Sequence, residues 1–281
     1  MNQPAVLFES HSHTPLCKHA EGWPDEYATV AHQRGLKGMH VTCHNPLPDG
    51  YSAAVRMAES EFDQYVDLVA KTTDQFAGQV DVRLGLEADY VEGFEAYLEK
   101  QLNSAAFHFV LGSVHPQIPE FRRKHWQDDL LEVQKIYFEM LAKSAETGLF
   151  DSLAHPDLIK NFTAEAWDPV SILDVIRPAL DRIAKTGVAM ELNTSGILKT
   201  ISEMNPYPAM LEEMRSRGIP VTLGADAHVP HRVGDGYITA MEILKAAGYQ
   251  EVNFFLNRTR QSVAIDQAIA SLEFAENSLA E

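Results

Sequence analysis

The chain is poor in cysteine, poor in basic residues and without a long apolar run, and each shortage removes a class of function. Its 281 residues include two cysteines, Cys17 and Cys43. Two are too few for a disulfide framework, and both read as reduced thiols. No stretch of about 18 apolar residues exists, which excludes a membrane span. The N-terminus has no basic segment leading into an apolar one, so a secretory leader is not expected and a cytoplasmic setting is. Lys and Arg number 23 against 40 Asp and Glu, a net charge of −17. Nucleic-acid binding needs a basic surface that displaces counterions, and none is encoded here. The same acidity would repel an anionic substrate unless bound divalent cations reverse the potential locally. Linkers rich in Pro, Gly or Ser are missing too, as are low-complexity segments. Residues 1–281 therefore read as a single domain, with the oligomeric state left open.

What is present is a soluble-type composition, 45% apolar and 22% charged, with short β-branched runs alternating with longer helical patterns. Strands are expected near 5–10, 38–43, 80–87, 107–114, 150–154, 187–193 and 219–225. Helices are expected at 24–35, 54–77, 93–103, 128–147, 169–186, 206–217 and 236–248, with a last one near 258–274. Within 128–147, Leu130, Val133, Ile136, Tyr137, Met140 and Leu141 fall at helical spacing, and Gly148 supplies the stop. Asp168-Pro169 pairs a cap residue with a first-turn proline. Strict alternation of this kind implies a parallel sheet with crossover helices. Seven repeats favour an α/β fold of the TIM-like barrel type over an open sheet.

Residues able to bind a metal recur at the strand ends. Strand one leads into His11 and His13, which share a face because i and i+2 do so in extended chain. His19 follows in the loop. Strand two leads into His44, strand three ends in Glu87, strand four leads into His115 and strand five into His155. The seventh leads into Asp226 and His228. Barrel enzymes build their sites on the C-terminal rim from such positions. One histidine at a strand end is more often a hydrogen-bonding residue than a ligand, and Glu87 alone would suit a salt bridge. Nine such residues on one rim point instead to a polynuclear centre. Imidazole with carboxylate suits zinc, iron or manganese, and nine donors could hold two or three divalent ions. Among the other histidines, His40 is expected inside the barrel, His32 on a helix surface, His125 in a loop and His231 as support for the site. His108 carries no assignment.

The motifs His11-Ser-His13-Thr-Pro-Leu-Cys-Lys-His19-Ala, Thr42-Cys-His44, Gly85-Leu-Glu87-Ala-Asp89-Tyr90 and Gly112-Ser-Val-His115 open a longer pattern. It continues with Ala154-His155-Pro-Asp157-Leu-Ile-Lys160, Glu191-Leu-Asn193-Thr-Ser-Gly196 and Gly224-Ala-Asp226-Ala-His228. The chain resembles the PHP (polymerase and histidinol phosphatase) family, in its histidinol-phosphatase branch, from His11 to about Arg260. The resemblance implies a distorted (β/α)7 barrel and a metal-dependent phosphomonoesterase. It also implies three ligand sets: His11, His13, Glu87 and Asp226; Glu87, His115 and His155; and His19, His44 and His228. Glu87 would bridge two ions, and Glu87, Asp226 and His228 are the catalytic candidates. Three positions depart from the usual pattern. Cys43 stands where relatives often carry an acid, Glu9 where Asp is common, and Leu198 where histidinol phosphatases often carry Arg.

For a phosphate ester, cations would activate water and neutralise the non-bridging oxygens. Lys160 and Lys199 are the candidate phosphate contacts; if the family's arginine binds phosphate, either Lys199 replaces it beside Leu198 or the substrate differs. Arg122-Arg123-Lys124 forms either a cationic lid or a solvated turn. Asn193 and Asp157 could orient ligands or substrate, Asp157 alternatively capping a helix. Asp89, Glu191 and Asn193 could meet the amine and imidazole of histidinol phosphate. The competing readings are a phosphatase for another small phosphate ester and a non-catalytic metal-binding relative. A nuclease role fits the acidity poorly, and an amidohydrolase would want a bridging lysine where this chain offers Glu87.

Overall fold

The computed structural model describes residues 4–280. Seven parallel strands follow one another in sheet order as in sequence: β1 (Phe8–Glu9), β2 (Gly38–Val41), β3 (Asp81–Asp89), β4 (Phe109–Ser113), β5 (Ser152–Leu153), β6 (Ala189–Asn193) and β7 (Val221–Gly224). Helices α1 (Pro24–Gln33), α2 (Phe62–Gln75) and α3 (Glu95–Leu102) follow the first three strands. Both α4 (Pro119–His125) and α5 (Leu130–Glu146) follow β4, while α6 (Leu173–Ile183), α7 (Pro208–Ser216) and α8 (Tyr237–Ala246) follow β5, β6 and β7. The expected strand–helix alternation is therefore present. Strand alternation shows in the packing: Val110 joins the main core, whereas its neighbours Phe109 and Leu111 join a separate cluster with Ala154, Ala189 and Phe255. Among the described residues, no helix is long and apolar enough to cross a membrane.

The end of the chain differs from expectation. In place of a helix from 258, β8 (Glu251–Leu256) adds parallel to β7, and β9 (Thr259–Ala264) returns antiparallel to β8. Asn257 and Arg258 both take left-handed backbone, φ 50° and 60°. Two such residues make the two-residue hairpin loop whose twist matches the strands. Helix α9 (Ile265–Ala280) starts only afterwards. The helix expected over 54–77 likewise begins at Phe62, after short 3₁₀ turns at Ala53–Val55 and Glu59–Glu61.

The two ends of the seven-strand series meet beyond the strands themselves. His13 N–H donates to the Ala227 carbonyl and Ala227 N–H to the His11 carbonyl, each at 3.0 Å. Buried Glu9 reinforces this seam by accepting from the N–H groups of His11, Ala225 and Gly234 at 2.9, 2.9 and 2.7 Å. At the opposite end β8 covers the floor. The Phe8 ring stacks on Phe254 at 4.5 Å, and His40 Nε2 donates to the Phe255 carbonyl at 2.8 Å.

His40 is thus an interior residue, as expected, and its burial gives a testable pH dependence. Burial pushes its imidazole down to about 3 despite the bond to Phe255. A base held below its unfolded value near 6.5 adds stability above that pH and loses it as pH falls towards 3. Between those limits this group should remove up to about 1.4 kcal/mol of unfolding free energy per pH unit. Urea unfolding of the wild type and His40→Gln should show the flatter profile in the variant. Parallel profiles would refute the assignment.

Candidate metal centre

The predicted ligands other than Glu87 reach the rim on the segments that follow their strands. His155 and Asp226 do so with positive φ, 28° and 49°, which non-glycine residues adopt only at a cost. The side chains converge on Glu87, which is buried on β3. Its Oε2 lies 3.3 Å from His11 Nε2, 3.6 Å from His13 Nε2 and 2.8 Å from His44 Nδ1. Its Oε1 lies 3.4 Å from His115 Nε2 and 3.1 Å from His155 Nε2. One carboxylate therefore faces two groups of imidazoles with different oxygens. Asp226 Oδ1 joins the first group, 3.1 Å from His13 Nε2 and 3.6 Å from His11 Nε2.

A third group lies towards solvent. His19 Nε2 and His228 Nε2 approach to 3.0 Å. His19 Nδ1 donates to the Cys17 carbonyl at 2.8 Å and His228 Nδ1 to the Asp226 carbonyl at 3.0 Å. Those bonds place both protons on Nδ1, so two Nε2 lone pairs point at one another. Repulsion of that kind is relieved by a cation between them. His44 also lies within reach of His13 and His228.

Surrounding residues fix the rings. His11 Nδ1 donates to Glu191 Oε1 and His115 Nδ1 to Asp89 Oδ1, both at 2.8 Å. Such bonds set the tautomer and leave the opposite nitrogen to a metal. Glu191 Oε2 accepts from the His155 N–H at 2.8 Å and from Asn193 Nδ2 at 2.9 Å. Asp89 is further held by Arg56 at 2.6 Å and by Ser113. These are the roles of Asp89, Glu191 and Asn193, in place of the expected contacts to a substrate amine: each is buried with its polar atoms already bonded.

Burial raises the cost of charge at Glu87, but His44, His11 and His115 outweigh it and hold the carboxyl well below its usual range. Asp226 is depressed in the same way, chiefly by His11 and His13. Burial brings His44 down to about 4 and His228 to about 3, which keeps both neutral and able to ligate near neutral pH. At His13 burial opposes protonation, yet the bond to Asp226 and the neighbours Cys17 and Glu87 carry it up to about 9. A proton there and a cation compete for one pocket of negative potential.

The donor set fits divalent metals. His11 Nε2, His13 Nδ1, His44 Nδ1, His155 Nδ1 and Glu87 Oε2 are buried without a well-aligned hydrogen bond among the described residues, the 2.8 Å approach of His44 Nδ1 to Glu87 Oε2 included. Leaving so many polar atoms unsatisfied is too costly for an ordinary core.

The candidate substrate contacts divide. Lys199 Nζ stands at the rim, 3.9 Å from Asp226 Oδ2. Lys160 is fully buried and bonded to Asp157 Oδ2 at 2.9 Å, Glu203 Oε1 at 3.2 Å and the Met204 carbonyl at 3.0 Å. It braces the loop of Asp157, whose other oxygen is engaged by Asn205, rather than reaching for phosphate. Arg122, Arg123 and Lys124 lie on α4, not in a loop. Arg122 stacks over Trp126 at 4.4 Å, Arg123 reaches Glu120 at 3.5 Å and Lys124 reaches Glu92 at 3.6 Å. Sequence reasoning passed over Cys17, whose sulfur falls within 4.8 Å of ring nitrogens of His19 and His228. Its i, i+2 relation to His19 was the available signal.

A family model described as "PHP domain" matches residues 9–195. The chain belongs to the PHP family. A relative from Deinococcus radiodurans named "Probable histidinol-phosphatase" is 39% identical over 254 residues, 88% of this chain and 96% of the relative. The "Histidinol-phosphatase" of Bacillus subtilis is 25% identical, with 83% and 98% covered. Among solved structures, a histidinol phosphate phosphatase from Lactococcus lactis, complexed with zinc, L-histidinol and phosphate, superposes with a TM-score of 0.78. It is 21% identical, with 91% of this PHP chain and 98% of that one covered.

Gly224 of this PHP chain leaves room for the ligand supports, since a Cβ there would lie 2.0 Å from Glu191 Oε1 and 2.6 Å from His11 Cβ. Gly224→Ala should keep its far-ultraviolet circular dichroism while its metal content per chain falls. Undiminished metal content would show that Glu191 and His11 can shift without consequence.

Proposed function

We propose that this chain is a divalent-metal-dependent phosphomonoesterase that converts L-histidinol phosphate and water into L-histidinol and phosphate, a step of histidine biosynthesis carried out in the cytoplasm. The carrying observation is Glu87, whose two oxygens face separate imidazole groups, the arrangement a bridging carboxylate needs. The relatives named above support the substrate. Residues 1–281 act as one catalytic domain on a small phosphorylated molecule, without nucleic acid or membrane.

His11, His13, Glu87 and Asp226 would hold one ion, Glu87, His115 and His155 a second, and His19, His44 and His228 a third. Two or three ions of zinc, manganese or iron are accommodated. Bound there, they would supply an activated water and screen the phosphate oxygens. The chain's own residues do the rest. Glu87 and Asp226 concentrate negative charge, Glu191 and Asp89 hold the imidazoles at fixed angles, and Lys199 offers an ammonium at the mouth for a phosphate oxygen. His228, only partly buried, marks that mouth. Lys160 and Asn193 support this geometry from beneath.

With added manganese or zinc, the purified protein should release phosphate from histidinol phosphate far faster than from an aryl phosphate. Equal, slow turnover of both would sink the substrate assignment while leaving the phosphatase. Glu87→Ala should abolish activity and lower metal content; an active variant would refute the bridge. Lys199→Met should raise KM on the order of tenfold with a smaller change in kcat, the mark of lost ground-state binding. An unchanged KM would remove Lys199 from the phosphate site.

A further inference from the structure

Cys17 occupies a place that the expected ligand sets leave out. It is buried, and the 3₁₀ turn Pro15–Cys17 carries it to the rim. Thr14 caps that turn through the Leu16 N–H, and Lys18 then takes left-handed backbone at φ 71°. The reversal turns Cys17 and His19 towards the same space. The sulfur and ring nitrogens of His19 and His228 all lie within 4.8 Å of one another. His19 Nε2 and His228 Nε2 are 3.0 Å apart, close to the roughly 3.3 Å between two imidazole nitrogens on a tetrahedral zinc.

The second cysteine is differently placed. Cys43 Sγ accepts from Thr14 Oγ1 at 3.1 Å and donates to the Thr14 carbonyl at 3.6 Å. Cys43 is thus engaged by the backbone turn. The Cys17 sulfur lies within 4.8 Å of Cys43 Sγ and of a ring nitrogen of His13, as well as of the outer pair His19 and His228. His44 directs Nδ1 at Glu87 Oε2 and also lies within 4.8 Å of a ring nitrogen of His228. His19, His44 and His228 together give the outer cation three imidazoles, one donor short of a tetrahedral set.

We propose that the Cys17 sulfur is a ligand of the outermost cation, sharing it with His19 and His228. On binding, the sulfur–metal bond forms and the thiol proton leaves to solvent. A thiolate makes this position softer than the two beneath it and favours zinc over manganese. The inner groups, with imidazole and carboxylate donors only, accept either metal. The inference rests on the reading of the rim as a cation centre and adds a ligand that the reading does not contain.

Cobalt(II)-substituted protein tests it without reference to activity. Thiolate-to-cobalt charge transfer should appear in the near ultraviolet for the wild type and Cys43→Ser, and vanish in Cys17→Ser. Cys17→Ser should still bind cobalt at the inner groups, which also reports that it folds. Cobalt bound at all sites without the charge-transfer band would overturn the ligand and leave the metal centre intact. A band lost only in Cys43→Ser would overturn it in favour of Cys43. Absence of any bound cobalt would overturn the centre and the ligand together. Should Cys17→Ser fail to fold, zinc-edge X-ray absorption of the wild type decides: a sulfur scatterer at about 2.3 Å supports the proposal. A spectrum fitted by nitrogen and oxygen alone overturns it.

Discussion

The carboxylate of Glu87 is the point on which the rest of the rim depends. Five histidines from four segments approach its two oxygens within 3.6 Å, in a place closed to water. Anionic oxygens and imidazole lone pairs do not gather in a dry interior unless positive charge is supplied to them. A folded chain can supply it as protons, which accounts for the raised affinity of His11 and His13. Divalent cations supply it more completely. The rings of His11, His115, His19 and His228 are oriented beforehand by a bond at the far nitrogen, so metal binding at them needs little rearrangement.

That concentration of unmet polar groups costs stability, and the remainder of the barrel offsets it. The apolar contacts lie between strands and outer helices and on the floor, where Phe8 stacks on Phe254 and Phe255 joins Phe109. Glu9 secures the seam between the first and seventh strands with three backbone bonds. The strained turn at Asp226 directly follows Ala225, whose N–H makes one of those three bonds, while the one at His155 is held through its N–H by Glu191. Stability is built at one end of the barrel and chemistry at the other.

Local position also separates two lysines that look alike in sequence. Both follow rim strands, yet Lys160 is enclosed by Asp157 and Glu203 whereas Lys199 remains partly open beside Asp226. A buried ammonium flanked by two carboxylates is neutralised internally. One at the mouth keeps its field for an incoming anion. For a chain of net charge −17, that local field matters more than the total.

The alternation of strands and helices, the place of each metal-binding residue type at a strand end, and the family pattern were all legible in the residue order. They depend on local periodicity and on spacing along one segment. The final hairpin was not legible, because left-handed Asn257-Arg258 and the pairing of β9 with β8 are settled by neighbours outside a local window. Nor were the true roles of Asp89, Glu191, Asn193 and Lys160, since which partner absorbs a polar group depends on segments far away in the chain. Cys17 belongs with these: two residues from His19 in sequence, it meets His228 only when the barrel seam closes. The sequence by itself determined which histidines and carboxylates would lie at the strand ends. Tertiary structure decided which of them face one another, because burial and distance across the barrel are set by packing rather than by spacing.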